Sequence, residues 1–63
     1  MNRTQAKEAH RDAVNKALER WKAALRYYEH VSDPKLIDVA VFDIEAARKR
    51  YVYLLKHGED AKI

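Results

Sequence analysis

The sequence predicts an all-α protein, an antiparallel hairpin of two long helices. Only one glycine and one proline occur among 63 residues, and such a composition favours helices over short strands and turns. Two segments repeat apolar residues at alternating steps of three and four, which is the spacing of a helix that packs against a partner helix. A single short break, at residues 31–33, divides the two segments.

Length and composition define a small protein with a small core. The chain makes one domain, residues 1–63, and a domain this short usually needs a metal, disulfides, oligomerisation or very good helix packing to be stable. The absence of cysteine excludes disulfides. Hydrophobic residues make up 48% of the chain and the net charge is +3, so we expect the chain to fold and to be soluble.

The first helix is predicted at about residues 4–30. Its apolar residues form a line that we call the helix 1 seam: Val14, Leu18, Trp21, Leu25 and Tyr28. Ala17 and Ala24 flank this seam and should let a second helix approach closely. We therefore expect the seam residues to be buried against the second helix.

A turn at residues 31–33 separates the two predicted helices. Pro34 suits the first position of a helix, and it disfavours the α region for the residue before it. Asp33 is therefore the predicted N-cap, because its side-chain oxygen can accept a free backbone N–H of the first turn. The second helix is predicted at about residues 34–57, with a frayed tail at 58–63.

The second helix carries apolar residues on two of its faces. One set, the helix 2 seam, is predicted to pack on the first helix: Ile37, Ala40, Ile44, Ala47, Tyr51 and Leu54, flanked by Val41 and Leu55. The other set, which we call the second apolar row, lies on a different face: Val39, Phe42, Ala46 and Tyr53. One partner helix cannot cover both faces. We expect the second apolar row to bind a partner or to form the interface of a homodimer, a four-helix bundle; the alternative is a loosely packed monomer.

The residue types that carry catalysis or bind cofactors do not occur in the required patterns. The histidines, at positions 10, 30 and 57, share no metal-binding spacing. The only serine and the only glycine belong to no nucleophile motif or phosphate loop. We therefore expect a protein that is not an enzyme, with no cofactor, metal or small-molecule substrate.

Basic residues support an alternative function. Arg48, Lys49 and Arg50 form a run, and Arg3, Lys7 and Arg11 repeat every four residues. Such residues can neutralise phosphates, although acidic residues lie close to them and a run of three spreads around a helix. Weak binding to nucleic acid is the alternative that this pattern leaves open.

Neither end of the chain suggests export or membrane insertion. Residues 1–10 are polar and lack the apolar stretch of a signal peptide, and no run is long enough to span a membrane. We expect a cytoplasmic protein that does not interact with membranes.

Two segments carry a resemblance to a known family. These are Asp33–Asp38, with the sequence DPKLID, and Ile44–Lys56, with the sequence IEAARKRYVYLLK. In them the chain resembles the YaaL-like family of short bacterial proteins of unknown function. The resemblance implies a helical fold and a bacterial, cytoplasmic origin, and it implies no catalytic residues. With the apolar faces, it predicts a non-catalytic interaction or adaptor module that binds another protein through its helix faces.

Overall fold

The computed structural model describes residues 3–57, with the side chains of residues 7–57. It contains two α-helices, α1 at Arg3–His30 and α2 at Pro34–His57, which pack against each other. The prediction of an all-helical fold is confirmed for this part of the chain. The predicted frayed tail at 58–63 lies outside the described residues. The molecule is elongated, with extents of 48 × 15 × 13 Å, because a helix of 28 residues is itself about 42 Å long.

The start of α2 is fixed by hydrogen bonds to Asp33. The backbone N–H of Lys35 donates to the Oδ1 atom of Asp33 over 2.9 Å, which is the bond expected of an N-cap residue. The backbone N–H of Ile37 donates to the carbonyl oxygen of Asp33 over 3.0 Å and forms the first helical bond of α2. The connection between the two helices is therefore short, and α2 runs back alongside α1.

Alanines occupy the buried positions between the two helices. The only buried hydrophobic residues in the described part of the chain are Ala17, Ala40 and Ala47, with exposed fractions of 5%, 0% and 7%. Small side chains let two helix backbones approach each other, since no bulky group holds them apart. The interior of this hairpin is consequently a narrow line of methyl groups rather than a layer of large side chains.

Larger residues pack at the edges of this line and stay partly exposed. The rings of Trp21 and Tyr51, one from each helix, have centroids 5.6 Å apart and are tilted by 39°, a separation typical of aromatic pairs. Val14, Leu18, Ile37, Ile44 and Leu54 are half-buried. The hairpin thus gains contacts from these residues without enclosing any of them.

Two residues of the helix 1 seam, Leu25 and Tyr28, are exposed, although the whole seam was predicted to be buried. Leu25 is 41% exposed and Tyr28 is 44% exposed. The contact line of α1 runs through Ala17 and Ala24, and Leu25 lies about 100° round the helix from Ala24. Tyr28 lies in the last turn of α1, where only the beginning of α2 is opposite to it. The heptad pattern predicted the correct side of α1. Because the two helices meet along the alanines, however, Leu25 and Tyr28 lie at the edge of the contact and stay exposed.

Candidate interaction surfaces

The second apolar row is exposed along α2. Phe42 is 74% exposed and Tyr53 is 61% exposed, and Val39 and Ala46 are exposed as well. The Tyr53 ring lies against the His57 ring one turn later, with centroids 4.6 Å apart. No side chain of α1 that the structure describes covers this row, because α1 packs on the alanine line of α2. The row is thus an apolar surface that the single chain leaves in contact with solvent.

Between the second apolar row and α1 lies a shallow groove with basic residues. One part of it has a volume of about 540 Å³ and is lined by Arg20, Ala23, Ala24, Tyr27, Asp43, Ala46, Ala47 and Arg50. A second part, of about 420 Å³, is lined by Ala13, Lys16, Ala17, Arg20, Arg50 and Leu54. Arg20 and Arg50 line both parts, one from each helix. We call the whole depression the cationic groove.

The charges of the cationic groove are largely uncompensated. Lys16, Arg20 and Arg50 form no ion pair with any carboxylate whose side chain the structure describes. Asp43 is the one acidic residue that lines the groove. Among the residues that line the groove, positive charges therefore outnumber negative ones by three to one. The sequence did not single out Lys16 and Arg20, because the hairpin alone brings them beside Arg50.

The basic run of α2 does not form one surface. Arg48 is half-buried, and its Nη2 atom donates to the Oε1 atom of Glu45 over 2.9 Å. Arg50 lines the cationic groove, and Lys49 is exposed between them on the outer side of the helix. Of the run predicted to contact nucleic acid, one residue lies in the groove and the other two lie elsewhere.

The Glu45–Arg48 pair also lowers the pKa of the Glu45 carboxyl group. The hydrogen bond from Arg48 and its positive charge hold the pKa of Glu45 below the ordinary value of 4.5, with Lys49 adding a smaller attraction. Lys49 lies four residues from Glu45, but the ion pair forms with Arg48, three residues away. Glu19 pairs with Lys22, with an N–O distance of 3.8 Å.

A second exposed apolar surface lies on the other side of the alanine line. We call it the aliphatic face, and it consists of Leu18, Leu25, Val41, Val52 and Leu55. Leu25, Val41 and Leu55 are exposed, and Leu18 and Val52 are half-buried. Both helices contribute to this face, which distinguishes it from the second apolar row. Sequence reasoning missed it, because Leu18 and Leu25 were placed in the seam of α1 and Val41 and Leu55 beside the seam of α2.

The three histidines lie apart. His10 is half-buried near the beginning of α1, whereas His30 and His57 end the two helices and are exposed. The Nδ1 atom of His30 lies 3.0 Å from the carbonyl oxygen of Arg26, within its own helix. Residues 7–57 contain no group of three or more side chains that could hold a metal ion. The arrangement of the histidines thus offers no common site.

Neither α1 nor α2 has a stretch that is both long enough and apolar enough to cross a bilayer. The apolar residues of both helices are interrupted by charged ones at helical spacing.

The fold and these surfaces define a helical hairpin with apolar residues on both of its flanks. Residues 3–63 match the family described as "Protein of unknown function (DUF2508)", and the chain belongs to this family. Membership of a family of unknown function was predicted, and the match confirms it; the YaaL-like name stays a resemblance. No curated protein and no solved structure matches the chain.

Proposed function

We propose that this protein is a non-catalytic interaction module that works by presenting helix faces to other protein chains. In this proposal it self-associates, most simply as a two-fold dimer that forms a four-helix bundle. It also binds a larger protein partner as an adaptor.

One observation carries the proposal: no side chain larger than alanine is buried among the described residues. A folded domain gains most of its stability by removing large apolar side chains from water, at about 25 cal/mol per Å². In this hairpin those side chains remain partly in contact with solvent, and a short chain has little other stabilisation to offset its conformational entropy. Association with another chain supplies the missing burial.

The second apolar row is the surface proposed for the partner protein. Phe42 and Tyr53 are its most exposed members, and large aromatic residues contribute strongly to protein interfaces. The row borders the cationic groove, since Ala46 belongs to both. A partner helix with apolar residues along one side and carboxylates along the next would suit the two surfaces together.

Sedimentation velocity of the full chain tests self-association. We expect the sedimentation coefficient to rise with concentration from the value of a monomer to that of a dimer. A single monomeric species at all concentrations, with a sharp thermal melt, would contradict self-association.

Quantitative affinity capture from cell extract tests the partner. Phe42→Glu places a carboxylate in a desolvated contact, which is costly, so a protein captured specifically should be lost with this variant. Asn15→Glu is the matched control, because Asn15 is exposed on α1, about 160° round the helix from the buried Ala17 and away from the row and the groove. The proposal for the row fails if the same proteins are captured by wild type and by Phe42→Glu.

A second candidate function is association with nucleic acid, and the cationic groove favours it. The groove joins Arg50 of the predicted run to Lys16 and Arg20 of α1. Three phosphate contacts would make affinity fall about twentyfold between 50 and 150 mM salt. Fluorescence anisotropy with a labelled single-stranded or double-stranded fragment measures this. Arg20→Gln should weaken the binding more than Lys49→Gln, and no binding at low salt would end this candidate.

A further inference from the structure

We propose that the aliphatic face, rather than the second apolar row, is the surface on which the second copy of the chain binds. This inference rests on the proposed self-association and identifies the surface responsible for it. The second apolar row and the cationic groove then stay accessible in the dimer. One molecule could thus dimerise and bind a partner at the same time.

The apolar residues of the aliphatic face come from both helices. A four-helix bundle made from two hairpins needs each hairpin to present a surface built from both of its helices. The aliphatic face meets this requirement, with Leu18 and Leu25 from α1 and Val41, Val52 and Leu55 from α2. The second apolar row comes from α2 alone, and the α1 residues that line the groove beside it include Arg20 together with Ala23 and Tyr27.

The distribution of charged residues also favours the aliphatic face over the groove side as the dimer interface. If two copies met through the groove side, Lys16, Arg20 and Arg50 of one copy would face the same cations of the other. Asp43 alone could compensate them, and like charges held together in an interface are unfavourable. The charged residues within the aliphatic face, Arg48 on α2 and Lys22 on α1, pair with Glu45 over 2.9 Å and with Glu19 over 3.8 Å. Two copies that meet through this face therefore bring fewer unpaired cations together than two copies that meet through the groove side.

The chain exposes more surface than a compact monomer of its mass. A compact monomer of 7.4 kDa exposes about 4,200 Å² by the usual scaling with mass. This chain exposes 5463 Å², an excess of about 1,300 Å² over that compact reference. Each partner in a standard interface contributes about 800 Å². The excess surface is thus large enough for a second copy and leaves part of the surface for another contact.

Introduced thiols test this assignment, because the natural chain has no cysteine. Leu55→Cys places a thiol on the aliphatic face, and Tyr53→Cys places one on the second apolar row two residues away. Both positions are exposed in the single chain, so both thiols should react at similar rates with iodoacetamide in dilute solution. Cysteine is smaller than either residue and uncharged, so the two variants should retain the helical fold, as checked by circular dichroism.

The alkylation rates at high concentration decide between the two surfaces. At a chain concentration ten times the dissociation constant of the dimer, about one fifth of the chains are monomers, so the thiol at position 55 should react about fivefold more slowly. The thiol at position 53 should react at its dilute rate. Protection at position 53 but not at position 55 would overturn the assignment while leaving self-association intact. If sedimentation finds only monomers of both variants and of the wild type, self-association itself is wrong, and the assignment falls with it.

Discussion

Among single residues, Asp33 contributes to the fold through two of its atoms. Its carboxylate accepts the backbone N–H of Lys35, and its carbonyl oxygen accepts the N–H of Ile37. The four N–H groups at the start of a helix have no partner within the helix. A side chain that accepts one of them stabilises the helix and also fixes where it begins. Pro34 follows directly and has no N–H that needs an acceptor.

Replacing Asp33 by alanine should therefore destabilise the hairpin. Loss of the cap costs about 1 kcal/mol, which lowers the melting temperature of a domain this small by about 4–8 °C. Thermal denaturation followed by circular dichroism measures the change. Asp33→Asn retains a side-chain acceptor and should melt close to the wild type. Equal melting of Asp33→Ala and wild type would show that the cap contributes nothing.

The Glu45–Arg48 pair predicts a dependence of stability on pH. The pKa of Glu45 is lowered in the folded chain, so the folded state favours the ionised carboxylate. The resulting stabilisation is present above the ordinary pKa of 4.5 and is lost as the pH falls through the lowered value. The effect is small, because both side chains are about half exposed and salt screens them.

Glu45→Gln removes this titration and tests it. On acidification from neutral pH to below 4.5, the melting temperature of the wild type should fall slightly more than that of the variant. Glu19→Gln serves as the control, since the Glu19–Lys22 pair is longer at 3.8 Å and more exposed. An identical decrease for Glu45→Gln and wild type would contradict a contribution from the pair.

The buried positions between the two helices are all occupied by alanine. Ala40 and Ala47 of α2 and Ala17 of α1 are the buried residues of the described chain. Any longer side chain at these positions would separate the helix backbones, and the half-buried pair of Trp21 and Tyr51 would lose its contact. The alanine line therefore determines the geometry of the hairpin, although alanine buries little apolar area.

Ala46 and Ala47 offer a matched test of this contact. Ala47→Leu forces a larger side chain into the contact between the helices and should destabilise the hairpin by about 1–3 kcal/mol. Ala46→Leu adds the same side chain on the exposed row and should leave unfolding by urea almost unchanged. If both variants unfold at the same urea concentration, the alanine line does not set the helix spacing.

Much of the element structure could be predicted from the sequence, and the surfaces only in part. The helix bounds lie within one residue of those predicted, because Asp33 and Pro34 carry strong local signals. The exposure of Leu25 could not be predicted from its heptad position, since it depends on how closely α1 approaches α2. The groove between Arg20 and Arg50 depends on the rotation of one helix relative to the other, and local sequence does not encode that rotation.

At the scale of the whole molecule, one hairpin has two flanks with different chemistry. The aliphatic face carries uncharged side chains from both helices around a compensated arginine, whereas the other flank combines the second apolar row with uncompensated cations. A chain with a single alanine line between its helices cannot bury either flank by itself. Folding and association are then expected to be coupled, because the second copy supplies burial that the monomer lacks.

This coupling predicts that the melting temperature depends on concentration. If folded dimers unfold directly to separate chains, an unfolding enthalpy of about 0.7 kcal/mol per residue over two chains gives a decrease of about 6 °C for each tenfold dilution. Differential scanning fluorimetry or circular dichroism over a wide concentration range measures it. Leu55→Glu, on the aliphatic face, should melt lower and independently of concentration, whereas Phe42→Glu, on the second apolar row, should keep the dependence of the wild type. A melting temperature of the wild type that does not change on dilution would show that the hairpin folds without its second copy, and the partly exposed residues would then need no dimer to explain its stability.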